Sequence, residues 1–344
     1  MYTRQNRLRP WTSLCKIEVF VVCLFLGTVL YFLMVFSGRE ARSSRIKYTT
    51  LTGFFLQDEP GTDPSTFDYT AVNFGLINRT YDTDAQYDPE RKKTQWQRFD
   101  RQVSQLNLQS ADNFQYKILY IGRHGEGVHN VAEDFYGTLA WDAYWSKLDG
   151  NDTVTWADAH LTDKGIQQAQ IANKFWKAEI TTQKTPAPQK YYTSPLHRCL
   201  ATANITFSEL ELPDTQPFIP EVKEFLREVN GVHTCDRRSN KNYLHSEFPP
   251  YVFEPGFAEN DELWSPDVRE SDPDLDARLK KLLDDVFTRD SSSYISFTSH
   301  SGAISALLRD LGHRPFRLQT GGVIPVLVKA ETFPVSSSPT SIAA

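Results

Sequence analysis

An arginine, a histidine and a glycine stand directly after an apolar run. Arg123, His124 and Gly125 follow residues 116–121, which are predicted to form a buried strand of a parallel sheet. A guanidinium donates two parallel hydrogen bonds to a phosphate, and a neutral imidazole can attack phosphorus. Because Gly125 lacks a Cβ, the backbone can come close to a bound anion. This position at a strand's carboxyl end is compatible with phosphoryl chemistry, although a tripeptide alone favours a structural role.

The longer run over residues 123–130 reads Arg-His-Gly-Glu-Gly-Val-His-Asn. It resembles the histidine phosphatase superfamily, in its phosphoglycerate-mutase-like branch, and most of all the fungal phosphomutase-like proteins. Later segments are similar to the family's other motifs and occur in the family's chain order: residues 161–165, 194–199, 226–231 and 298–302. The likeness extends over about residues 53–330 and leaves both ends of the chain unexplained.

The resemblance assigns roles to individual residues. It implies that His124 becomes transiently phosphorylated, with Arg123 and Arg198 binding the phosphate. It also implies that Glu228 is the proton donor and that His300 is the second catalytic histidine. In this chemistry His124 attacks in line through Nε2 while a backbone carbonyl holds Nδ1–H. A carboxyl group protonates the leaving oxygen and then serves as the base for water.

Each role has a structural alternative. His124 and His300 are compatible with core histidines at strand ends, and Arg198 with an ion pair on a helix. Glu228 has two neighbouring carboxylates, at Glu221 and Glu224, and any of the three is compatible with a solvated helix position. We prefer Glu228 because the turn signal Asn-Gly follows it closely, where a side chain can face a cleft.

Other polar residues beside the motifs have open roles. Asn130 is predicted either to bind the phosphate or substrate or to cap a helix. Histidines 129 and 197 suit packing or support of the site better than catalysis. Next to Glu228, His233, Arg237 and Arg238 are candidates for substrate recognition, or members of a solvated loop.

No metal-ligand spacing is present in the sequence, so neither a metal nor another cofactor is predicted. Three equatorial phosphate oxygens must still be neutralised in the transition state. Arg123, Arg198 and His300 are the side chains predicted to do this.

The elements around the motifs indicate an α/β fold. Strands are predicted at 116–121, 294–297 and 323–328, and an apolar helix at 303–311. A further helix is predicted to begin with Asp272 as N-cap and Pro273 in its first turn. The alternation predicts a three-layer α/β/α sandwich around a mainly parallel sheet, as in phosphoglycerate mutases. Residues 213–290 are predicted to be an insertion over the site, with 243–264 supplying a lid or substrate contacts.

The amino terminus contains an uncharged apolar run at residues 19–36, long enough for one transmembrane helix. We predict a basic tail at 1–16, a signal-anchor at 17–37, and a linker with an N-terminal extension at 38–114. The catalytic domain then follows at 115–330 and a disordered tail at 331–344. A cleaved signal peptide is the alternative to the anchor.

The cellular compartment of the catalytic domain is predicted from weaker sequence signals. A long domain after a short N-terminal tail favours a single-pass membrane protein with a lumenal or extracellular catalytic domain. Glycosylation sequons begin at Asn78, Asn151 and Asn204, in keeping with that placement. Near the motifs, Cys199 and Cys235 are expected to form either a disulfide or two buried thiols.

A net charge of −6 and a pI near 5.8 argue against nucleic acid as a partner. The leading hypothesis is a metal-independent phosphomonoesterase, held at the membrane by its N-terminal helix. Its substrate is a phosphorylated small molecule or a phosphoprotein. The alternatives are a phosphoglycerate-type mutase with the same residues and a catalytically silent scaffold of the same fold.

Overall fold

Seven strands form a single sheet in the computed structural model, which describes residues 44–334. The strands are β1 (Ser44–Thr50), β2 (Phe114–Arg123), β3 (Lys190–Thr193), β4 (Glu221–Val222), β5 (Val252–Phe253), β6 (Tyr294–Ser299) and β7 (Val323–Pro334). Their order is β1-β7-β2-β6-β3-β4-β5. The pairs β2–β6, β3–β6, β3–β4 and β4–β5 are parallel, and β2–β7 is antiparallel. The predicted α/β fold with a mainly parallel sheet is confirmed.

Nine α-helices accompany the strands in residues 44–334. They are α1 (Asp84–Tyr87), α2 (Gln95–Gln109), α3 (Val128–Tyr136), α4 (Thr138–Ala143), α5 (Asp163–Ala178), α6 (His197–Phe207), α7 (Lys241–Glu247), α8 (Asp272–Arg289) and α9 (Ser301–Asp310). Thr94 caps α2 through its hydroxyl, and Thr162 caps α5 in the same way.

The central strand β2 is buried on both faces, and its side chains alternate between two hydrophobic cores. Ile118 and Tyr120 pack with Trp96 of α2 and Trp176 of α5. Leu119 and Ile121 pack on the opposite face with residues of α8 and α9. Helices therefore cover both faces of the sheet, which gives the three layers.

The N-terminal extension takes part in this architecture. Residues 46–332 form one compact unit by their internal contacts. Phe55, Phe74 and Phe99 are fully buried in the same core as Tyr120 of β2. In addition, β1 lies at the edge of the sheet beside β7. The extension thus supplies a strand and much of one hydrophobic layer, while the predicted domain boundaries themselves stay a prediction.

Three details differ from the sequence-based expectations. The N-cap of α8 is Ser271 and not Asp272, because the Ser271 hydroxyl accepts the amide of Asp274. Residues 213–290 are not only an insertion, since they contribute β4, β5 and α8 to the fold. Strand β7 continues to Pro334, so the first residues of the segment predicted as a disordered tail belong to a strand.

The predicted transmembrane run at residues 19–36 and the chain after Pro334 lie outside the described residues. Within residues 44–334, the helices are all too short or too polar to cross a bilayer.

Candidate active site

Two strand ends bring the principal histidines together. Strands β2 and β6 pair in parallel with Arg123 opposite Ser299, so His124 and His300 follow at equivalent positions. The amide of His124 donates to the carbonyl of Ser299 at 3.0 Å. The two imidazole rings are 5.1 Å apart between centroids, and both residues are buried. The structure therefore places the two histidines side by side at one edge of the sheet.

The orientation of the His124 ring is fixed by a backbone carbonyl. Its Nδ1 lies 2.6 Å from the carbonyl oxygen of Gly125, which places the proton on Nδ1 and leaves the Nε2 lone pair free. Burial, followed by the charges of Arg198 and Arg123, lowers the pKa of His124 well below its usual value. The ring is therefore neutral and nucleophilic near neutral pH.

Gly125 is required here by a close approach between chain segments. A Cβ on Gly125 would lie 2.4 Å from the carbonyl oxygen of Gly165, at the start of α5. The amide of Gly125 donates to the hydroxyl of Thr202 at 3.0 Å. These contacts fix the backbone on the C-terminal side of His124.

Arg198 is almost completely buried and is fixed at both terminal nitrogens. Nη1 donates to the carbonyl of Cys235 at 2.6 Å, and Nη2 to the carboxylate of Asp236 at 3.0 Å. Burial alone lowers the pKa of Arg198, but the negative charge of Asp236 outweighs it, so the net shift is upward. Nε is buried without a partner among residues 44–334.

Arg123 is held by a residue near the C-terminal end of the described chain. Its Nη1 donates to the carbonyl of Leu318 at 3.0 Å, and its Nε has no partner within the described part of the chain. Burial is the main cause that lowers the pKa of Arg123, and Arg317 and Arg198 lower it further. Two guanidiniums with unsatisfied, buried Nε groups therefore flank the paired histidines.

His300 contacts two residues of the segment that carries Arg198. Its Nε2 is 2.7 Å from the hydroxyl of Ser194 and 3.3 Å from the sulfur of Cys199. Burial and the charge of Arg198 lower the pKa of His300 well below its usual value. Ser194 thus fixes the ring of the second histidine.

The side chain of Glu228 lies against the amino terminus of α9, the helix that begins directly after His300. Its carboxylate accepts the amides of Gly302 at 3.0 Å and Ala303 at 3.1 Å. It also accepts the amide of Val229 and the hydroxyl of Ser301. A proton on either oxygen must replace one of these donors, so a role as proton donor would require Glu228 to exchange partners.

The competing carboxylates are engaged elsewhere. Glu224 pairs with Arg227 and Arg238, and Glu221 pairs with Lys190 and Lys223. Among these three glutamates, only Glu228 contacts the segment that follows His300.

The remaining candidates are spread over the site and its surroundings. Asn130 accepts the amide of Gly127 at 2.9 Å, so helix capping is the contact that is observed. His129 lies 5.5 Å from His124 between ring centroids, with a buried Nδ1 that has no partner in residues 44–334. His197 stacks on His160 at 3.6 Å and packs on Phe248.

The basic loop after Glu228 is tied into the protein. Arg238 is buried and donates to Glu224 and to backbone carbonyls, so the hypothesis of substrate recognition by Arg238 is not supported by its contacts. Arg237 pairs with Asp149 near the surface, and His233 lies 3.5 Å from Asp142. Arg237 and His233 therefore lie beside acidic residues and do not belong to the group formed by His124 and His300.

One cluster has side chains of the types that bind metals. Ligand atoms of His233, Cys235 and Asp236 lie within 4.8 Å of one another. However, Asp236 is already paired with Arg198 and Arg269, and burial raises the pKa of the Cys235 thiol well above its usual value. A cation would meet two guanidiniums and a protonated thiol, so these residues do not fit a metal. Cys199 and Cys235 are free, buried thiols, which is the second of the two alternatives expected from the sequence.

Two supporting residues were not singled out from the sequence. Ser194 orients His300, and Asp236 orients Arg198 while its second oxygen accepts from Arg269 at 3.0 Å. Both stand inside segments that the sequence does reveal, at 194–199 and 233–238. Their partners, His300 and Arg198, are far away in the chain. The only signal available in the sequence was that Ser194 and Asp236 are polar residues within such segments.

The fold and the site define an α/β protein with two facing histidines, flanked by two arginines, at one edge of its sheet. The family profile of the histidine phosphatase superfamily (branch 1) matches residues 119–320. The chain belongs to this superfamily, whose members are phosphatases or mutases and act on phosphorylated small molecules.

Two fungal relatives agree with this placement. A probable phosphoglycerate mutase of Arthroderma benhamiae is 58% identical, over 83% of this chain and 85% of its own. Phosphomutase-like protein 3 of Candida albicans is 39% identical, over 83% of this chain and 81% of its own. A mycobacterial glucosyl-3-phosphoglycerate phosphatase matches in structure with a TM-score of 0.38 and 19% identity, covering 64% of this chain and 100% of that one.

Proposed function

We propose that this protein is a metal-independent phosphomonoesterase that works through a phosphohistidine at His124. The observation that carries the proposal is the pair of buried, facing imidazoles of His124 and His300, with Nδ1 of His124 held by the carbonyl of Gly125. Arg123 and Arg198 beside them supply the positive charge that a metal supplies in other phosphatases.

The proposed steps use this geometry. The phosphate binds between the histidines, against the guanidiniums of Arg123 and Arg198. Nε2 of His124 attacks phosphorus, the ester P–O bond breaks, and Glu228 gives a proton to the leaving alkoxide. Water then attacks the phosphohistidine, Glu228 takes a proton from that water, and inorganic phosphate leaves.

A phosphoglycerate-type mutase is the second candidate, and the 58% identity to a probable phosphoglycerate mutase favours it. The two activities use the same first step. A mutase returns the phosphoryl group to another hydroxyl of the bound substrate, whereas a phosphatase admits water.

A panel of phosphate esters separates these candidates. Purified protein in EDTA is expected to release inorganic phosphate, at the same rate with and without added bisphosphoglycerate. A rate that depends on bisphosphoglycerate, with isomerisation in place of phosphate release, would establish the mutase. Complete inactivity of the folded protein on every ester would support the silent scaffold.

The acid role of Glu228 leads to a prediction about leaving groups. Glu228→Gln should slow the hydrolysis of alkyl phosphates by about 10² to 10⁴, since general acid catalysis contributes that range. Nitrophenyl phosphate should be affected much less, because its leaving group needs little protonation. Steady-state kinetics on both esters measures this difference.

Glu224→Gln is the control for this experiment, because Glu224 is close in sequence but pairs with Arg227 and Arg238. In the Glu228→Gln variant, the new side-chain amide would also oppose backbone amides at the start of α9, at a cost of about 1 kcal/mol in folding stability. Melting temperatures must therefore accompany the kinetics. Equal losses on both esters would remove Glu228 from the acid role.

Membrane attachment and a lumenal catalytic domain remain part of the proposal. Two of the three sequon asparagines, Asn78 and Asn151, are exposed, and Asn204 is partly buried in α6. If the domain is lumenal, glycans are expected at Asn78 and Asn151 before Asn204.

A further inference from the structure

The segment that carries Glu228 belongs to neither a strand nor an α-helix. We name residues 225–228 the Glu228 segment. Its backbone carbonyls lack the partners that a sheet or an α-helix would supply, so other donors must satisfy them. All four carbonyls accept hydrogen bonds from side chains: the hydroxyl of Ser299 donates to Leu226 at 2.9 Å, and Arg278 donates to the other three. Side chains therefore determine where this segment lies.

Arg278 makes most of these contacts from α8, where it is buried. Its Nη1 donates to the carbonyl of Phe225 at 2.8 Å and to that of Arg227 at 3.1 Å. Its Nη2 donates to the carbonyl of Glu228 at 2.8 Å. A guanidinium is planar and its N–H groups point in fixed directions, so one side chain fixes the relative positions of three carbonyls.

Glu270 holds this guanidinium in place. Its two carboxylate oxygens accept from Nε and Nη2 of Arg278 at 2.8 and 2.7 Å, and both side chains are nearly buried. The carboxylate of Glu270 also accepts the amide of Asn230 at 3.0 Å, and the amide of Glu270 donates to the carbonyl of Asn230 at 2.9 Å. The pair Arg278–Glu270 therefore fixes the backbone on both sides of Glu228.

The carboxylate of Glu228 is held differently from its backbone. Its donors within residues 44–334 are the backbone amides and the hydroxyl at the start of α9 and at Val229. No lysine or arginine of the described chain lies within salt-bridge distance of it. The carboxylate can thus exchange partners by rotation of side-chain bonds, without the loss of an ion pair, while the Arg278–Glu270 pair keeps the backbone still.

We infer that Arg278, held by Glu270, is a positioning residue for Glu228. It fixes the backbone from which the carboxyl group of Glu228 reaches the leaving oxygen, and it does not itself touch the reacting atoms. Proton transfer requires donor and acceptor at about 3 Å, and a displacement of about 1 Å can cost about 10² in rate. This inference rests on the proposed phosphomonoesterase function, and in particular on the acid role of Glu228.

The substitution Arg278→Lys tests the inference. Lysine keeps a positive charge beside Glu270, but a single ammonium cannot span three carbonyls. The kcat for alkyl phosphates should fall about 10- to 100-fold, because the acid is displaced. The kcat for nitrophenyl phosphate should stay within about threefold of wild type, since its leaving group needs little protonation. A purely structural role would lower the rates on both esters by the same factor.

Arg238→Lys is the matched control. Arg238 is also buried, pairs with one glutamate, Glu224, and donates to several backbone carbonyls, but these belong to residues 239 and 258–260. Its replacement should lower the melting temperature much as Arg278→Lys does. It should change the rates on alkyl and nitrophenyl phosphates by the same factor, because the Glu228 segment keeps its contacts with Arg278.

A double variant shows whether Arg278 acts through Glu228. Arg278→Lys combined with Glu228→Gln should hydrolyse alkyl phosphates as slowly as Glu228→Gln alone, because the acid that Arg278 positions is already absent. A further fall equal to that of Arg278→Lys alone would overturn the inference.

Glu270→Gln is a milder variant, in case Arg278→Lys folds poorly. It leaves Arg278 in place with one carbonyl oxygen in place of a carboxylate. It should slow alkyl phosphates selectively by about 3- to 10-fold, the range for one weakened hydrogen bond.

The inference and the proposed function fail in different ways. If wild-type protein releases phosphate from none of the esters, or if Glu228→Gln slows both kinds of ester equally, the proposed function or its acid step fails. If Glu228→Gln slows alkyl phosphates selectively, but folded Arg278→Lys and Glu270→Gln slow both kinds equally, only the positioning role of Arg278 is overturned.

Discussion

Replacing His124 by alanine is expected to abolish turnover and, with it, the covalent phosphoenzyme. His124 is the only imidazole of the facing pair whose Nδ1 is held by a backbone carbonyl, so its Nε2 is the nucleophile of the proposed mechanism. Loss of a nucleophile in comparable enzymes costs on the order of 10⁶ in kcat, which brings the rate to the background of the assay. Rapid quenching under alkaline conditions followed by intact-mass measurement detects the acid-labile phosphohistidine.

His129→Phe is the matched control for this loss. It also replaces a buried imidazole, 5.5 Å from His124, but keeps a planar ring in that position. This variant should still form the phosphoenzyme, because His129 has no part in the covalent step. Phosphoenzyme trapped on His124→Ala would place the nucleophile on another residue, and His300 would be the first to examine.

The second large loss of activity is expected from the substitution Arg198→Lys. The lysine keeps the positive charge, so Asp236 is not left buried without a counter-ion. It cannot reproduce the planar fork that is fixed by Cys235 and Asp236, and it lacks the Nε group that has no partner in the described chain. We expect kcat/KM to fall by about 10³, the typical result of removing one preorganised donor to transition-state charge.

Arg269→Lys provides the comparison for Arg198→Lys. Arg269 binds the other oxygen of Asp236, but its side chain is 33% exposed. A partly exposed ion pair contributes little, so activity should stay within about threefold of wild type. Binding of vanadate, an analogue of the trigonal transition state, should weaken in Arg198→Lys and remain unchanged in Arg269→Lys. Equal weakening in both variants would show that Arg198 acts only through the packing around Asp236.

The sequence was sufficient to predict the parts of the site that depend on local pattern. His124 and His300 each end an apolar run, and parallel strands bring such ends to one edge of a sheet. The family resemblance indicated Arg198, which lies at the start of α6, and a β-branched run predicted the strand that became β7. These features are encoded within a few neighbouring residues.

Contacts between distant segments could not be predicted in this way. The hydrogen-bonded ion pair of Asp236 and Arg198 depends on how a loop after β4 folds back over α6. The periodicity of the sequence does not predict the path of that loop. The incorporation of β1 into the sheet, and of the extension's aromatic residues into the core, has the same origin. Arg238 is a second example, since the sequence left its role open between substrate recognition and a solvated loop, and the structure shows a buried ion pair with Glu224.

The parallel register of β2 and β6 has a consequence for how this protein is made. The paired ends, Arg123 and Ser299, are separated by about half of the chain. Strand β7 must still add to the far side of β2, where the amide of Gly321 donates to the carbonyl of His124. Closing so long a loop loses conformational entropy before the stabilising contacts form. This part of the sheet should therefore form late and slowly. If His124 and His300 bind phosphate as proposed, a nascent chain that lacks β6 and β7 should not bind it. Acquisition of anion binding during translation or refolding should therefore report completion of the whole sheet.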